Sequence, residues 1–296
     1  MQAVQAEAYL PGAKSMTARR VHRRGQRTDE GDFGMKHSSV EFKGGRMDYC
    51  CFGQGSRSLV ILPGMSLGRV TGQVALLSQL YSLLCEDFTL YVFDRADDIP
   101  RGCSIEDMAE DTVSAMKALG LGKCCIFGCS QGGMMAQLMA IKHPEAVDRL
   151  VIASSASRAN PLLREVVGGL IGAAESGRLA ELTDAMAEKM FTDEYLNKYG
   201  IREFYRENPP SPEDLDRFLV MAEALLSFDV YDRLGEIKAP ALVIGVEGDG
   251  IVTGDASREL AERLGCELIM YEGYRHAVYD EAPDYKQHLL EFFTKD

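Results

Sequence analysis

Two serines of this sequence occur in the pattern Gly-x-Ser-x-Gly, in which a serine hydroxyl can become a nucleophile. They are Ser66, within residues 64–68, and Ser130, within residues 128–132. A serine hydroxyl is a weak nucleophile at neutral pH, so it needs a base within hydrogen-bonding distance and a sharp turn that exposes it. The flanking glycines leave room for such a turn, because a Cβ atom there would clash with the backbone.

The residues around each serine distinguish the two motifs. Apolar residues 123–127 predict a strand directly before Ser130, and residues 133–138 predict a helix directly after it. The amino terminus of that helix places a positive dipole end where negative charge would develop during attack. Ser66 also follows a predicted strand, but residues 69–72 are a poor start for a helix. We therefore predict Ser130 as the nucleophile and Ser66 as a loop serine.

A nucleophile of this kind needs a sheet behind it, and strands and helices alternate from residue 39 onward. Apolar runs predict strands over 40–43, 47–52, 58–62, 88–93, 123–127, 149–153, 241–246 and 267–271. Helical periodicity predicts helices over 104–119, with Ser104 as its N-cap, and over 132–143, 256–264 and 284–293. The alternation predicts an α/β fold, with a mostly parallel central sheet and helices on both faces.

Residues 157–228 interrupt the alternation with a long helical stretch broken by glycines and prolines. We predict an inserted helical lid, 157–228, over the strand ends of a core formed by residues 35–156 and 229–296. Its larger apolar side chains could line a pocket, but at helical spacing we expect them to form a packing face. They are Met186, Met190, Phe191, Tyr195, Tyr199, Phe204, Tyr205, Phe218, Met221 and Phe228.

The first 34 residues differ from the rest, with six Lys and Arg against four Asp and Glu. No apolar segment follows the basic residues, so they do not form a secretory signal. A basic tail could contact nucleic acid or act as a transit-like segment, but we favour a disordered extension. Met35 is then an alternative start of the protein.

The composition restricts the partners. A net charge of −13 argues against nucleic-acid and membrane partners, because phosphates and anionic lipids repel an acidic protein. The sequence has no apolar stretch of about 18 residues, as a spanning helix would need. Eight cysteines without a CxxC motif or Cys/His cluster indicate reduced thiols in a cytoplasmic protein, and no metal site. We expect a small-molecule substrate as the partner, and a homo-oligomer is possible.

Several further motifs accompany the one at Ser130. They are Leu62-Pro63-Gly64-Met65, Phe93-Asp94-Arg95, residues 128–133, 143–147, 248–252 and 273–277. With them, the chain resembles the α/β-hydrolase superfamily, in its lid-bearing, small-molecule branch, over residues 40–293. Each motif alone is weak, whereas the set in this order is specific.

The resemblance implies a triad in the order Ser, Asp or Glu, His. Asp249 follows the strand 241–246, and His276 follows the strand 267–271, so both lie in loops that converge over the sheet. A histidine can take the serine proton and return it to the leaving group, and a carboxylate fixes its tautomer. Glu247 is the alternative acid. We expect His22, His37, His143 and His288 to have no part in this chemistry.

The resemblance also implies an oxyanion hole made by the backbone N–H groups of Met65 and Gln131. The family often has His-Gly in the first of these loops, whereas this sequence has Pro63-Gly64. The donor is a backbone group, so the hole survives this departure, but the anchoring of the loop is left open. We expect Asp94-Arg95 to form an ion pair or turn, and Cys129 to be a spacer that packs away from substrate. This chemistry needs no metal or organic cofactor.

A serine at this position argues against dehalogenase and epoxide-hydrolase chemistry, which in this superfamily uses an aspartate there. We predict hydrolysis of small, partly apolar carboxylic esters through an acyl-enzyme. Alternatives with the same site are C–C bond hydrolysis, cleavage at proline and acyl transfer. The peptidase alternative needs inward-facing lid acids, for which Glu175, Glu181 and Glu188 are the candidates. A ligand receptor that kept the fold and lost turnover is the remaining alternative.

Overall fold

Eight strands form one sheet in the computed structural model, which describes residues 36–295 of the chain. The basic extension predicted over 1–34 lies outside the described residues. The strands are β1 Lys36–Phe42, β2 Gly45–Gly53, β3 Arg57–Leu62, β4 Phe88–Ala96, β5 Cys124–Cys129, β6 Val147–Ala153, β7 Ala241–Val246 and β8 Glu267–Tyr271.

The strand order is β1-β2-β4-β3-β5-β6-β7-β8. The β1–β2 hairpin and the β2–β4 pair are antiparallel, and every other pair is parallel. The prediction of a mostly parallel sheet is thereby confirmed. Parallel strands end at one edge, so the loops after β3, β5, β7 and β8 emerge on the same side.

Helices surround the sheet. They are α1 Val74–Leu80, α2 Ile105–Ala118, α3 Gln131–Lys142, α4 Pro161–Glu175, α5 Leu179–Met190, α6 Asp193–Tyr199, α7 Ile201–Glu207, α8 Pro212–Leu226, α9 Gly254–Leu264, α10 Val278–Glu281 and α11 Tyr285–Thr294. Short 3₁₀ helices lie at Val70–Gln73, Ser82–Leu84, Pro144–Ala146 and Tyr231–Glu236. Ser104 caps α2 through a reciprocal box with Asp107, as its spacing predicted. Helix α1 was not predicted, because the residues before it carry no capping signal.

The core lies on both faces of the sheet, and alternate residues of one strand belong to opposite halves. In β3, Val60 and Leu62 pack on the face that carries α2 and α3, whereas Leu59 and Ile61 pack on the face that carries α11. A strand buried on both sides needs an apolar residue at every position. The continuous apolar runs of the sequence follow from this arrangement.

Helices α4 to α8 form one helical insertion, residues 157–228, between β6 and β7. Its two ends are joined, since the Val230 N–H donates to the Ser157 carbonyl at 2.8 Å and the Ala159 N–H donates to the Phe228 carbonyl at 2.9 Å. The insertion therefore leaves the sheet and returns to it at the same place. No helix among residues 36–295 is both long enough and apolar enough to cross a membrane.

Candidate active site

Ser130 lies in the turn between β5 and α3, with a backbone conformation that side chains rarely adopt. Its φ is 52° and its ψ is −123°. The Ser130 N–H donates to the Ala153 carbonyl at 2.9 Å, and the Ser155 hydroxyl donates to the Ser130 carbonyl at 2.8 Å. Both partners belong to β6 and the loop after it, so the neighbouring strand holds the turn in place. A positive φ at a non-glycine residue points to function when the surroundings over-determine it.

The glycines of the motif are required by close approach. A Cβ atom on Gly128 would overlap the Gly132 carbonyl, and one on Gly132 would overlap the Leu62 carbonyl at the end of β3. A Cβ atom on Gly133 would lie 2.7 Å from the Ser155 Cβ atom. Helix α3 therefore begins in contact with two strands, and only glycine fits at these positions.

Ser66 has none of these features. Its hydroxyl donates to the Gly68 carbonyl two residues along the chain, and a 3₁₀ helix begins only at Val70. The two Gly-x-Ser-x-Gly motifs thus occupy different structures, a strand–turn–helix at Ser130 and an open loop at Ser66.

Asp249 and His276 meet at the same edge of the sheet. The His276 Nδ1 atom lies 2.8 Å from the Asp249 Oδ2 atom, and both side chains are 1% exposed. The other oxygen of Asp249 accepts hydrogen bonds from the Ile251 N–H at 2.8 Å and the Val252 N–H at 3.0 Å. Burial alone would raise the pKa of Asp249, but His276 and these two amides outweigh it and lower the pKa below its usual value. The carboxylate is therefore ionised at neutral pH and oriented toward the imidazole.

The alternative acid and the other histidines lie elsewhere. Glu247 is exposed and forms an ion pair with Arg258. His143 is the C-cap residue of α3 and lies 3.0 Å from Glu110. His37 and His288 pair with Asp48 and Asp284, away from Asp249. His22 lies outside the described residues.

The loop after β3 lies against Ser130, since a Cβ atom on Gly64 would be 3.0 Å from the Ser130 Cβ atom. Met65 continues this loop, and Gln131 is the first residue of α3. The two predicted oxyanion donors thus belong to the segments that flank Ser130 on either side. Their role as donors stays a prediction.

Arg95, at the end of β4, anchors this loop. Its guanidinium donates to the Pro63 carbonyl at 2.7 Å and to the Gln131 Oε1 atom at 3.2 Å. The Gln131 amide donates in turn to the Met221 carbonyl of α8 at 2.7 Å. Burial lowers the pKa of Arg95 to about 10, so the group remains charged at neutral pH. The sequence predicts only an ion pair or turn with Asp94, and these contacts of Arg95 go beyond that prediction. The missed signal was a charged side chain at the end of an otherwise buried strand.

A cavity of about 850 Å³ lies between the loop after β3 and the helical insertion. Pro63, Gly64 and Met65 form part of its wall, so it borders the segment that touches Ser130. Seven of the ten large apolar residues named in the insertion also line it, although we had expected a packing role: Met186, Met190, Phe191, Tyr195, Tyr199, Phe204 and Tyr205. Phe218, Met221 and Phe228 instead pack in the core.

Cys129 precedes the nucleophile and borders the cavity, but its thiol is not activated. Its Sγ atom lies 3.7 Å from the Leu62 carbonyl, and burial raises its pKa to about 12. A thiol with this pKa is neutral at physiological pH and a poor nucleophile. All eight cysteines lie within the described residues and are free. No group of three or more potential metal ligands occurs among residues 36–295.

The family model and two sequences that are similar to this chain are described as hydrolases. The model of the alpha/beta hydrolase fold family matches residues 58–283. A putative carbamate hydrolase RutD from Caulobacter sp. (strain K31) is 30% identical over 166 residues, 54% of this chain and 61% of that protein. One from Agrobacterium fabrum is 27% identical over 234 residues, 71% of this chain and 84% of that protein.

Solved structures share the fold at lower identity. The enol-lactonase from Burkholderia xenovorans LB400 superposes with a TM-score of 0.76 at 22% identity, covering 87% of this chain and 100% of that one. The hydrolase MGS-M2, from a Medee basin deep-sea metagenome library, gives a TM-score of 0.78 at 21% identity, covering 88% and 98%.

Exchange of Asp249 for Asn tests the orientation of His276. We expect kcat for p-nitrophenyl butyrate to fall about 10³–10⁴-fold in Asp249→Asn, because the amide no longer stabilises the imidazolium or its tautomer. Glu247→Gln, the matched control, should stay within about twofold of the parent chain. Parent-like turnover in Asp249→Asn with loss of turnover in Glu247→Gln would instead identify Glu247 as the acid.

Arg95→Met tests the anchoring of the loop after β3. We expect kcat/KM for the same ester to fall about 10–100-fold, because the Met65 amide is no longer held in place. Arg101→Met, at an exposed arginine, is the control. The folded fraction of each variant is measured by thermal unfolding, and activity is expressed per amount of folded protein. Parent-like activity in folded Arg95→Met would contradict the anchoring role.

Proposed function

This chain belongs to the α/β-hydrolase family and is a hydrolase, and we propose that it cleaves small, partly apolar carboxylic esters through a serine acyl-enzyme. The observation that carries this proposal is the buried 2.8 Å hydrogen bond between Asp249 and His276, formed at the same sheet edge as Ser130. A fully buried carboxylate–imidazole pair at the same sheet edge as a serine held at positive φ suits nucleophilic catalysis.

Acylation begins with attack of the Ser130 hydroxyl oxygen on the ester carbonyl carbon. His276 takes the hydroxyl proton through Nε2, the ring nitrogen that Asp249 does not bind, and Asp249 stabilises the resulting imidazolium. The N–H groups of Met65 and Gln131 stabilise the negative oxygen of the tetrahedral intermediate. His276 then gives its proton to the leaving alcohol as the C–O bond breaks. Water, activated by His276, releases the acid and restores Ser130.

The cavity supports a small and partly apolar substrate. A volume of about 850 Å³ matches a compact organic molecule, and most of the side chains that the insertion contributes are aromatic rings or methionines. The relatives are described as acting on a carbamate and an enol-lactone. Both groups have an acyl carbon bonded to a heteroatom leaving group, as an ester does.

The helical insertion serves as the lid in this proposal. Its α5–α6 segment is tied to the loop that carries His276, since the Ala277 N–H donates to the Met190 carbonyl at 2.8 Å. Glu281 accepts hydrogen bonds from the Thr192 hydroxyl at 2.6 Å and the Thr192 N–H at 2.9 Å. The same segment lines the cavity, so the insertion both shapes the substrate site and supports the general base.

The acids of the insertion do not support the alternative of cleavage at proline. A peptidase of that kind needs insertion acids that face inward to hold the substrate amine. Glu175, Glu181 and Glu188 are all exposed, and Arg202 lies 3.4 Å from Glu188. These three residues therefore provide no amine site in the cavity.

Labelling and turnover together test the proposal. The full chain, Ser130→Ala and Ser66→Ala are treated with a fluorophosphonate probe and assayed with p-nitrophenyl esters from acetate to decanoate. We expect Ser66→Ala to label and turn over like the parent chain, with an optimum in acyl length set by the cavity. Ser130→Ala should lose labelling and at least about 10³-fold in kcat.

Other outcomes would overturn parts of the proposal. Labelling of Ser130 without turnover of any ester would replace ester hydrolysis with C–C hydrolysis, peptide cleavage or acyl transfer. If the parent chain shows no labelling and no turnover, the result favours a ligand receptor over an enzyme. Loss of labelling in Ser66→Ala alone would move the nucleophile to Ser66.

A further inference from the structure

The buried end of the cavity holds a carboxylate that the ester mechanism does not use. The exposed Glu207 and Asn208 line this cavity, and so do the buried Cys129 and Tyr279 and the partly exposed Asp280. The part lined by Cys129, Tyr279 and Asp280 is called the buried end. Asp280 belongs to α10, four residues after His276.

The other charged side chains of the cavity already have partners or face solvent. Arg69 donates to Asp97 at 2.8 Å, and Asp214 closes the capping box of α8 with Ser211. Glu207 is exposed at the mouth. Among the described residues, Asp280 alone is a charged group at the buried end.

The carboxylate of Asp280 makes no hydrogen bond and no ion pair within 4 Å to any described side chain. Lys286 is the nearby cation, but its ammonium donates to the Tyr279 carbonyl and lies near the rings of Tyr81 and Tyr285, at 5.8 and 5.9 Å. Burial raises the pKa of Asp280 to about 6, and the charge of Lys286 offsets this only in part. An ionised carboxylate here lacks a direct counterion.

Aromatic side chains line the cavity together with this carboxylate. Burial is the main reason why the pKa values of Tyr81, Tyr195 and Tyr279 lie above the usual value, and the charge of Asp280 adds to the rise in all three. All three rings line the same cavity as Asp280. Tyr195 continues into a row of rings with Phe191 at 5.1 Å. Aromatic rings with a single carboxylate attract organic cations through the ring quadrupole and the charge.

We propose that the buried end of the cavity binds an alkylammonium group of the substrate, with Asp280 as its counterion and the tyrosine rings as its walls. The proposal rests on the proposed function in one respect, that the cavity is the substrate site. It makes Asp280 a specificity-determining residue, which selects esters that carry an amine over neutral esters of equal size.

Calorimetric titration of the full chain at pH 8, where Asp280 is ionised, tests the proposal. The probes are n-butyl-, n-hexyl- and n-octylammonium, each against the alcohol of the same chain length. We expect the best ammonium to bind about tenfold or more tightly than its alcohol, because the charged hydrogen bond replaces a neutral one. In Asp280→Asn the ratio should fall to about one. Glu175→Gln, at an exposed acid of the insertion, should keep the parent ratio.

A structural role for Asp280 as the distant counterion of Lys286 predicts a different result. It predicts that Asp280→Asn lowers the unfolding temperature, that adding Lys286→Met restores it, and that no variant changes the ratio of ammonium to alcohol affinity. If Asp280→Asn does not fold, the double variant Asp280→Asn/Lys286→Met is titrated in its place and should show a ratio of about one.

Equal affinities for ammonium and alcohol in the parent chain would overturn the proposal, and so would a preference that survives in Asp280→Asn. Because the titration needs no turnover, failure of the ester-hydrolase proposal is separate from this result. The same ammonium ions should inhibit p-nitrophenyl butyrate hydrolysis competitively in the parent chain. Inhibition that leaves KM unchanged would place them outside the substrate site.

Discussion

The positive φ of Ser130 requires a precise arrangement of the central strands. A conformation of this kind costs about 1–3 kcal/mol, and it persists only where the surroundings leave no alternative. Here β6 fixes the Ser130 backbone, the end of β3 closes on Gly132, and α3 begins at the next residue. The central strands must therefore be paired and buried on both faces before the serine can be presented at the sheet edge.

The parts of the site are connected mainly through hydrogen bonds to backbone carbonyls, with one to the side-chain amide of Gln131. Arg95 joins the loop after β3 to Gln131, and Gln131 reaches α8 of the helical insertion. On the other side, the Met190 carbonyl of the insertion accepts from the loop that carries His276. Side chains that bind carbonyls hold a loop without specifying the residue there. Arg95 can therefore hold the loop after β3 with a proline at position 63.

The pKa values of Asp249 and Asp280 differ because the groups around the two carboxylates differ. Asp249 receives an imidazole and two amides, and its pKa falls. Asp280 receives no direct donor, and its pKa rises to about 6. Burial opposes ionisation at both positions, so the difference lies first in the charge of His276 and then in the hydrogen bonds from His276 and the two amides.

The strands, most of the core helices and the turn at Ser130 could be predicted from the sequence, because each depends on residues close together in the chain. The Gly-x-Ser-x-Gly motif, the run before it and the helix after it span fewer than 25 residues. The sequence predicted Asp249 as the acid with Glu247 as the alternative, expected Arg95 only in an ion pair or turn with Asp94, and gave Asp280 no role. Only the tertiary structure placed Asp249 on His276, Arg95 on Pro63 and Asp280 in the cavity. These partners come from strands and loops far apart in sequence, and parallel pairing of the sheet decides which of them meet.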